Sequence, residues 1–290
     1  MFEVKVPMTS ANVACGFDTL GLALQTHSVF HFELNDKLDF VGFEKEFCNE
    51  DNLVYIAFKK TLNFLNKSVN GVKISLIEQA PIARGLGSSA TCVVAGIFGA
   101  YLLTGTEINK NDILKIATEL EGHPDNVAPA IYGNLTISSY LNEKVSTVVT
   151  EFPEVSFITY IPDYELRTKD SRGVLPKGLS YREAVAASSV ANVAIAALMK
   201  GDMVTAGRAI ESDRFHEHFR QGLIKEFPKI KMLAKKNGAY ATYLSGAGPT
   251  VMVLAPKDQS NMIKEKIEDQ QFKGQVFELQ VDCRGVRVEK

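Results

Sequence analysis

The sequence predicts an α+β protein divided into two lobes. Its 290 residues, 46% hydrophobic and 23% charged, have the composition of an ordinary globular protein and suffice for two modest domains. Runs with strand-like alternation are interspersed with runs of helical spacing, the pattern of a mixed fold. A proline-containing acidic turn at residues 151–154 separates the halves. We therefore expect an N-terminal lobe at residues 1–152 and a C-terminal lobe at residues 153–290.

The first half of the chain contains short alternating runs and longer amphipathic runs. Alternation predicts strands at residues 2–6, 29–34, 38–43, 72–76, 135–140 and 145–149. Helical spacing of apolar residues predicts helices at residues 52–66, 90–103 and 110–120. A further short helix at residues 19–24 is an open alternative, in which the Asp18 carboxylate would be the N-cap.

The second half begins with a strand and a long loop. We expect the strand at residues 155–161 and the loop, rich in charge and proline, at residues 163–177. Ser180 and Glu183 fit a capping box, which starts a helix. Helical spacing predicts helices at residues 184–199, 202–210 and 223–237. Residues 240–244 and 250–254 are predicted strands on either side of a glycine-rich turn at residues 245–249.

Charge and cysteine content exclude several functional classes. The formal net charge is −2 and the isoelectric point is near 6.2, which gives no electrostatic footprint for nucleic acid or an anionic membrane. The N-terminus lacks the apolar stretch of a signal peptide, and the apolar run at 90–103 is too short to span a membrane. The four cysteines, Cys15, Cys48, Cys92 and Cys283, form no C-x-x-C pair. We expect reduced thiols in a cytoplasmic protein.

A glycine–serine segment between a predicted strand and the apolar helix is a candidate phosphate loop. Gly85 and Gly87 let the backbone approach a ligand closely, and free N–H groups at the helix start attract an anion. Ser88 and Ser89 can donate to phosphate oxygens or bind Mg²⁺. No Gly-Lys-Ser/Thr closes the segment, so it is not a Walker A loop, and it also fails the dinucleotide fingerprint. A purely structural turn with Ser88 as N-cap remains an alternative.

Three segments together resemble the motifs of the GHMP kinases, the family of galactokinase, homoserine kinase, mevalonate kinase and phosphomevalonate kinase. They lie in family order at residues 7–18, 81–90 and 245–250, spanning nearly the whole chain. The resemblance implies an N-terminal ATP-binding lobe like ribosomal protein S5 domain 2 and a ferredoxin-like C-terminal lobe. It also implies ATP and Mg²⁺ as cofactors and a homodimeric assembly.

Within the family, residues 10–18 and 123–130 are similar to the branch that acts on homoserine, and differ from the sugar and mevalonate enzymes. The resemblance implies ATP-dependent phosphorylation of L-homoserine to O-phospho-L-homoserine in threonine biosynthesis. Two alternatives stay open. One is a GHMP kinase acting on another small alcohol, and the other is a catalytically silent protein of this fold that senses a metabolite.

The resemblance also implies a substrate pocket. Arginine binds carboxylates through its planar fork, and Arg172 and Arg220 stand where the family places such arginines. Asp18 would face the substrate ammonium. Asn126 stands where mevalonate-type relatives carry an aspartate base, and an amide can orient a hydroxyl without accepting its proton. The expectation is direct in-line transfer without a carboxylate base. The implied substrate-binding residues are Asn12, Asp18, Asn126, Arg172, Arg220 and Gly246.

The ATP and Mg²⁺ sites follow from the same resemblance. Ser88 and Glu119 are the expected Mg²⁺ ligands and, with Asn126, the catalytic residues; Glu121 is the alternative carboxylate. Asn52 is expected either to contact the nucleoside or to cap a helix. None of the five histidines has an expected catalytic role, and His123 is expected to be structural. The implied phosphate-loop residues are Pro81, Ile82, Ala83, Arg84, Gly85, Leu86, Gly87, Ser88, Ser89 and Ala90.

Overall fold

The computed structural model describes residues 1–78 and 84–290 and has the predicted mixed architecture. The first lobe contains, in chain order, β1 (Phe2–Ala11), β2 (Leu20–Asn35), β3 (Asp39–Val41), α1 (Leu53–Phe64), β4 (Gly71–Glu78), α2 (Ser88–Leu103), α3 (Lys110–Glu121), α4 (Val127–Tyr132), β5 (Leu135–Leu141) and β6 (Lys144–Thr150).

The second lobe is formed by the following half of the chain. It contains β7 (Ser156–Pro162), α5 (Thr168–Gly173), α6 (Tyr181–Lys200), α7 (Met203–Ile210), α8 (Glu217–Arg220), α9 (Phe227–Lys236), β8 (Ala241–Leu244), β9 (Val251–Ala255), α10 (Ser260–Glu268) and β10 (Gly274–Leu279). The last strand, β11 (Arg287–Glu289), returns to the first lobe.

Among the described residues, the strands form two sheets. The larger has the order β11-β1-β2-β4-β3, with β5 paired to the start of β2 and β6 paired to β5. The smaller has the order β10-β7-β9-β8. Helices α1–α4 cover one face of the larger sheet. The opposite face packs on α6, α7 and the smaller sheet, whose other face carries α9 and α10. The loops of both lobes consequently meet where the two sheets are packed together.

The apolar helix α2 is the centre of the first lobe. Most of its side chains are buried, as expected of a helix that is apolar all round. Gly96 and Gly99 let α2 lie close to its neighbours. A Cβ at Gly96 would be 2.1 Å from the Val54 carbonyl oxygen, and one at Gly99 would be 2.5 Å from the Phe32 ring. These small residues fix the position of α2, and therefore of the phosphate loop that precedes it.

The predicted strands and helices overlap observed elements, most with bounds shifted by a few residues. The predicted strands at residues 2–6 and 29–34 are parts of the longer β1 and β2. The predicted loop at residues 163–177 contains the short helix α5. The possible helix at residues 19–24 was wrong, because β2 begins at Leu20. The run from Leu20 to Leu24 is buried and pairs with both β1 and β5. A continuous apolar run can be a strand buried on both faces, and its periodicity alone does not distinguish it from a helix.

The end of the chain is anchored to the first lobe through Asp282. Its buried carboxylate is bonded to His27 and to the guanidinium of Arg287, and it accepts from the backbone N–H groups of Arg284 and Gly285. Although burial alone would raise its pKa, these partners hold the pKa of Asp282 near 2. The segment that leads into β11 therefore belongs structurally to the first lobe. A single division at residue 152 places it with the second lobe, and that boundary stays a prediction.

Helix α6 is the one described helix that is long and apolar enough to cross a membrane by length and composition. The same test is passed by helices of soluble proteins. Its most apolar window is 22% buried, and its inward side chains, including Ala194 and Leu198, pack in the core between the lobes. Its first turn carries the predicted capping box, in which Ser180 and Glu183 bond reciprocally.

Candidate active site

A cavity of about 520 Å³ lies where the loops of the two lobes meet. The first lobe lines it with Asn12, with residues 17–18, 85 and 87–90, and with residues 121–123 and 125–126. The second lobe adds Leu166, Arg172, Arg220 and residues 246–248. The cavity therefore collects the three motif segments and the two arginines, which are far apart in the sequence.

The phosphate loop leads directly into α2. Gly87 is the N-cap, with a left-handed φ of 71°, and Ser88 is the first helical residue, so Ser88 is not the N-cap. The first turn of α2 carries no acidic side chain that would occupy its free N–H groups. The start of this 16-residue helix is therefore suited to an anion. Pro81, Ile82 and Ala83 of the predicted loop lie outside the described residues.

The glycine-rich turn at residues 245–249 supports the phosphate loop from behind. The Ser245 hydroxyl donates to the Gly85 carbonyl at 2.6 Å, and the Thr250 N–H donates to the Arg84 carbonyl. A Cβ at Gly85 would lie 2.5 Å from the Ser245 carbonyl oxygen, so only glycine permits this approach. Arg84 itself bonds the carbonyl of Asp163. The turn from the second lobe thus holds a loop of the first.

The two candidate metal carboxylates lie on different sides of α3. The Glu121 side chain lines the cavity and accepts a hydrogen bond from the Ser89 hydroxyl at 2.5 Å. Burial raises the pKa of Glu121 above its ordinary value, while Ser89 opposes this shift. Glu119 instead forms an ion pair with Lys60 at 3.0 Å. Residues two apart on a helix point about 200° apart, which is why only one of them reaches the cavity.

Asn126 is held by Thr9, from the first motif segment, and by its chain neighbour Asp125. Its Oδ1 accepts a hydrogen bond from the Thr9 hydroxyl at 2.8 Å, and its Nδ2 donates a longer one, of 3.4 Å, to Asp125. Gly87 lies against both partners, since a Cβ there would be 2.1 Å from Thr9 Oγ1 and 2.9 Å from Asn126 Oδ1. The phosphate loop and the Asn126 amide are therefore in direct contact.

His123 and Asp125 also line the cavity. The sequence alone predicts only a structural role for His123 and does not place it in the site. His123 Nδ1 lies 2.5 Å from Asp125 Oδ1. Burial alone would lower the pKa of His123, but the hydrogen bond to Asp125 and the negative charges of Asp125 and Asp18 together outweigh it and raise the pKa. One ligand atom each of Asp18, His123 and Asp125 lies within 4.8 Å of the others. The signal in the sequence was the pairing of His123 and Asp125 beside Asn126.

The loop after β1 builds the opposite wall. The Asn12 amide oxygen accepts from the Asp18 backbone N–H, and its Nδ2 donates to the Gly246 carbonyl at 3.2 Å. The Asp18 carboxylate caps no helix and pairs with Arg172 at 3.0 Å. The Phe17 ring lies within 6 Å of the guanidinium carbon of both Arg172 and Arg220. Such contacts attract the two cations to the ring and keep them on one side of the cavity.

Arg220 is the most deeply buried cation of the site, with a relative exposure of 2%. Its Nη1 donates to the Gly246 carbonyl and to His216, and its Nε donates to the Ser171 carbonyl. Burial, followed by repulsion from Arg172, lowers its pKa to about 10, so it remains a cation at neutral pH. No described carboxylate lies within 4.0 Å of it to form a salt bridge. A buried cation in this condition favours an anionic ligand.

Asn52 is used structurally. Its Oδ1 accepts from the Val54 N–H as the N-cap of α1, and its Nδ2 donates to the Phe47 carbonyl. The side chain is buried and does not line the cavity. Of the two expected roles, the structure shows the capping one.

Comparisons with known proteins match both halves of the chain to one family. The family models for the GHMP kinases N terminal domain and the GHMP kinases C terminal match residues 52–134 and 194–274. A homoserine kinase of Streptococcus sanguinis (strain SK36) is 53% identical over 99% of this chain and 100% of its own length. One from Streptococcus gordonii (strain Challis) is 52% identical over 99% of each chain.

Solved structures show the same fold. The crystal structure of homoserine kinase from Cytophaga hutchinsonii ATCC 33406 has a TM-score of 0.88 at 29% identity, covering 99% of this chain and 97% of that one. The mevalonate kinase of Methanococcus jannaschii has a TM-score of 0.74 at 15% identity, covering 97% and 98%. The second likeness supports the fold alone. The predicted fold class and family resemblance are confirmed.

Proposed function

The chain belongs to the GHMP kinase family, and from this membership we propose that it is a homoserine kinase. It transfers the γ-phosphoryl group of ATP to the hydroxyl of L-homoserine and forms O-phospho-L-homoserine, a step of threonine biosynthesis. The observation that carries the proposal is the buried Arg220 cation, without a carboxylate partner among the described residues, in the cavity that begins at the phosphate loop. A small alcohol that bears a carboxylate complements this site.

The cavity can receive both charges of the zwitterion. The substrate carboxylate binds Arg220 and Arg172, whose guanidinium groups lie over Phe17. The substrate ammonium binds the Asp18 carboxylate. Because Asp18 and Arg172 pair with each other here, a zwitterion can supply each of them with an opposite charge. Neutral sugars and mevalonate, which lacks an ammonium group, satisfy fewer of these groups.

ATP places its phosphates at the start of α2. The backbone N–H groups after Gly87 and the hydroxyls of Ser88 and Ser89 provide donors for them. Ser88, Ser89 and Glu121 offer the hard oxygen ligands that Mg²⁺ prefers, and the short Ser89–Glu121 contact brings two of them together. These residues therefore fit Mg²⁺, which when bound would neutralise phosphate charge. Glu121, rather than Glu119, is the carboxylate that we assign.

Asn126 orients the reacting hydroxyl. Thr9 occupies one lone pair of the Asn126 Oδ1, which leaves the other for the substrate hydroxyl. An amide accepts no proton at neutral pH, so the hydroxyl attacks in line and its proton leaves to a phosphate oxygen. The neighbouring Asp125 is a carboxylate, but its Oδ1 is engaged by His123 and Asn126. Its hydrogen bonds support a role in holding these two side chains.

The function is tested by coupled ADP release from the purified chain with L-homoserine, mevalonate, galactose and L-threonine. Turnover is expected with L-homoserine and, at most weakly, with the others. Turnover on mevalonate or galactose but not on homoserine would replace the substrate and leave the family. Absence of turnover on all four would favour the metabolite sensor.

Glu121→Gln is expected to raise the Mg²⁺ concentration for half-maximal rate by at least about tenfold, the loss caused even by outer-shell changes at metal sites. The matched control is Glu119→Gln, which makes the same change on the same helix at the ion pair with Lys60. It is expected to alter the Mg²⁺ requirement by less than about twofold, since exposed ion pairs contribute little. Equal effects of the two variants would refute the assignment. The measurement is initial rate against free Mg²⁺ at saturating ATP.

Asn126→Ala is expected to lower kcat by about a hundredfold with little change in the KM for homoserine, because the hydroxyl loses its orientation but the charged groups stay. Full turnover would show that Asn126 has no such role. Asp125→Asn is the companion variant. It is expected to cost less than about a hundredfold in kcat, the lower end of general-base catalysis. If Asp125 were a general base, kcat of the wild type would fall at acidic pH, where the carboxylate is protonated. A larger loss in Asp125→Asn, together with disappearance of this fall, would identify Asp125 as a base.

Cellular location and assembly follow from the same proposal. The near-neutral net charge and the lack of a C-x-x-C pair support a cytoplasmic enzyme whose partners are homoserine and ATP, without nucleic acid or membrane. The homodimer remains part of the proposal, supported by the family resemblance. Sedimentation of the purified chain distinguishes a monomer of 31.9 kDa from a dimer.

A further inference from the structure

His216 lies buried beside Arg220, with no exposed surface. Its Nε2 is 2.7 Å from the carbonyl oxygen of Ala14. A carbonyl oxygen only accepts hydrogen bonds, so Nε2 must carry the hydrogen. The ring thus takes the Nε2–H tautomer, and the loop that follows β1 selects it.

The other ring nitrogen faces the arginine. In this tautomer Nδ1 has a free lone pair, and Arg220 Nη1, 3.1 Å away, donates to it. Burial lowers the pKa of His216 to about 4 against the opposing effect of Asp213, so the ring is neutral at neutral pH. A protonated ring, or the opposite tautomer, would place an N–H against the Arg220 N–H. The present arrangement is the one in which His216 accepts from the guanidinium.

The ring itself is held from three directions. Asp213 accepts from the backbone N–H groups of Phe215, His216 and Glu217, which fixes the backbone of the segment. The Phe17 ring stacks on the imidazole, with centroids 5.2 Å apart. Ala14, as above, fixes the Nε2 end. His216 is therefore held in one orientation, and its hydrogen bond restricts the Arg220 guanidinium as well.

We propose that His216 is a positioning residue for Arg220: its Nδ1 accepts from the guanidinium and its Nε2–H is fixed by Ala14, which aims the remaining donors of Arg220 at the substrate carboxylate. The inference rests on the proposed function, in which Arg220 binds that carboxylate. The Gly246 and Ser171 carbonyls occupy further donors of the same guanidinium. A planar fork held at three points has its remaining N–H directions set before the ligand arrives.

Two substitutions separate the two ring nitrogens. The Asn side-chain oxygen can occupy the place of Nδ1, so His216→Asn keeps an acceptor for Arg220 and loses the bond to Ala14. The Gln side-chain nitrogen can occupy the place of Nε2, so His216→Gln keeps the donor for Ala14 and loses the acceptor for Arg220. Both variants are neutral and polar, and both remove the stacking with Phe17, so they are matched to each other.

The test compares kcat/KM for L-homoserine with that for 3-amino-1-propanol, the same alcohol without its carboxylate. In His216→Gln the ratio of the two is expected to fall by at least about tenfold, through KM for homoserine, because a hydrogen bond to a charged group is lost. In His216→Asn the ratio is expected to stay within about threefold of the wild type, because that bond is retained. The KM for ATP is expected to be unchanged in both. Calorimetric titration with L-homoserine measures the same loss where the amino alcohol turns over too slowly.

If His216 had a merely structural role, its substitution would lower kcat/KM for both substrates together and leave their ratio unchanged. That result overturns the inference. So does an unchanged KM for homoserine in His216→Gln, or a larger loss of the ratio in His216→Asn than in His216→Gln. Thermal melting of each variant identifies any that is unfolded, and the other variant then carries the comparison. A wild-type chain that fails to phosphorylate homoserine overturns the proposed function first, and is seen before any variant is made.

Discussion

Arg220→Met is expected to lower kcat/KM for L-homoserine by about a hundred- to a thousandfold, the loss observed when one partner of a buried charge pair is removed. The guanidinium lies in the interior, so its interaction with a carboxylate is weakly screened by solvent. The loss should fall mainly on KM, because Arg220 binds the carboxylate and not the reacting hydroxyl. Arg220→Lys keeps the charge without the planar fork and should recover only part of the loss.

The control for Arg220 is Arg208→Met, which removes an exposed arginine from α7 outside the cavity. It is expected to leave the kinetics of both substrates unchanged. Steady-state rates at varied homoserine and saturating ATP give the result, with thermal melting to confirm that the variants are folded. If Arg220→Met kept the wild-type KM for homoserine, Arg220 would not bind the substrate. If only the kinetics with ATP were impaired, Arg220 would belong to the nucleotide site.

Gly87→Ala is expected to lower kcat/KM by about a hundredfold or more, the scale expected for displacements near 1 Å in an active site. The added methyl would lie 2.1 Å from Thr9 Oγ1 and 2.9 Å from Asn126 Oδ1. It must therefore push apart the hydrogen-bonded pair that orients the hydroxyl, and shift the phosphate loop in the same movement. Both the nucleotide and the acceptor lose their alignment, so we expect kcat to fall even at saturating substrates.

Gly105→Ala separates this clash from backbone strain. Gly105 also has a left-handed φ, of 63°, but no atom lies within 4 Å of a Cβ placed there. This variant is expected to lose about 1 kcal/mol of stability from the strained backbone and no activity. If Gly87→Ala behaved like Gly105→Ala, with a lower melting temperature and normal turnover, the contact between the phosphate loop and Asn126 would have no catalytic consequence.

Periodicity predicted much of the secondary structure, because amphipathic helices such as α3 and half-buried strands such as β4 have one apolar face. It did not identify the start of β2, where Leu20–Leu24 is buried on both faces and lacks alternation. Nor did it predict β10 and β11, whose residues are mostly exposed or partly exposed. These strands are specified by pairing with distant segments, which one sequence does not display.

For the site, the motif resemblance located the loops but could not orient individual side chains. The choice between Glu119 and Glu121 depends on which side of α3 faces the cavity, and so on how α3 packs. The bonds of Thr9 to Asn126 and of His216 to Ala14 join residues from different elements. No local sequence pattern predicts hydrogen bonds between residues so far apart in the chain. The Thr9–Asn126 bond forms when the first lobe folds, and the His216–Ala14 bond forms only when the two lobes pack against each other.

The return of the chain to the first sheet bears on how the molecule is connected. Strands β1 and β11 pair antiparallel with Glu3 opposite Glu289, so the two chain ends lie side by side. The second lobe is thereby an insertion between segments of the first, joined to it by one connection before β7 and another after β10. Neighbouring ends are the condition under which circular permutation is tolerated. A permuted chain that opens in a surface loop would keep every sheet pairing and both connections between the lobes. The site lies between the lobes and needs both connections, but it does not need the elements to follow one another in the present order along the chain.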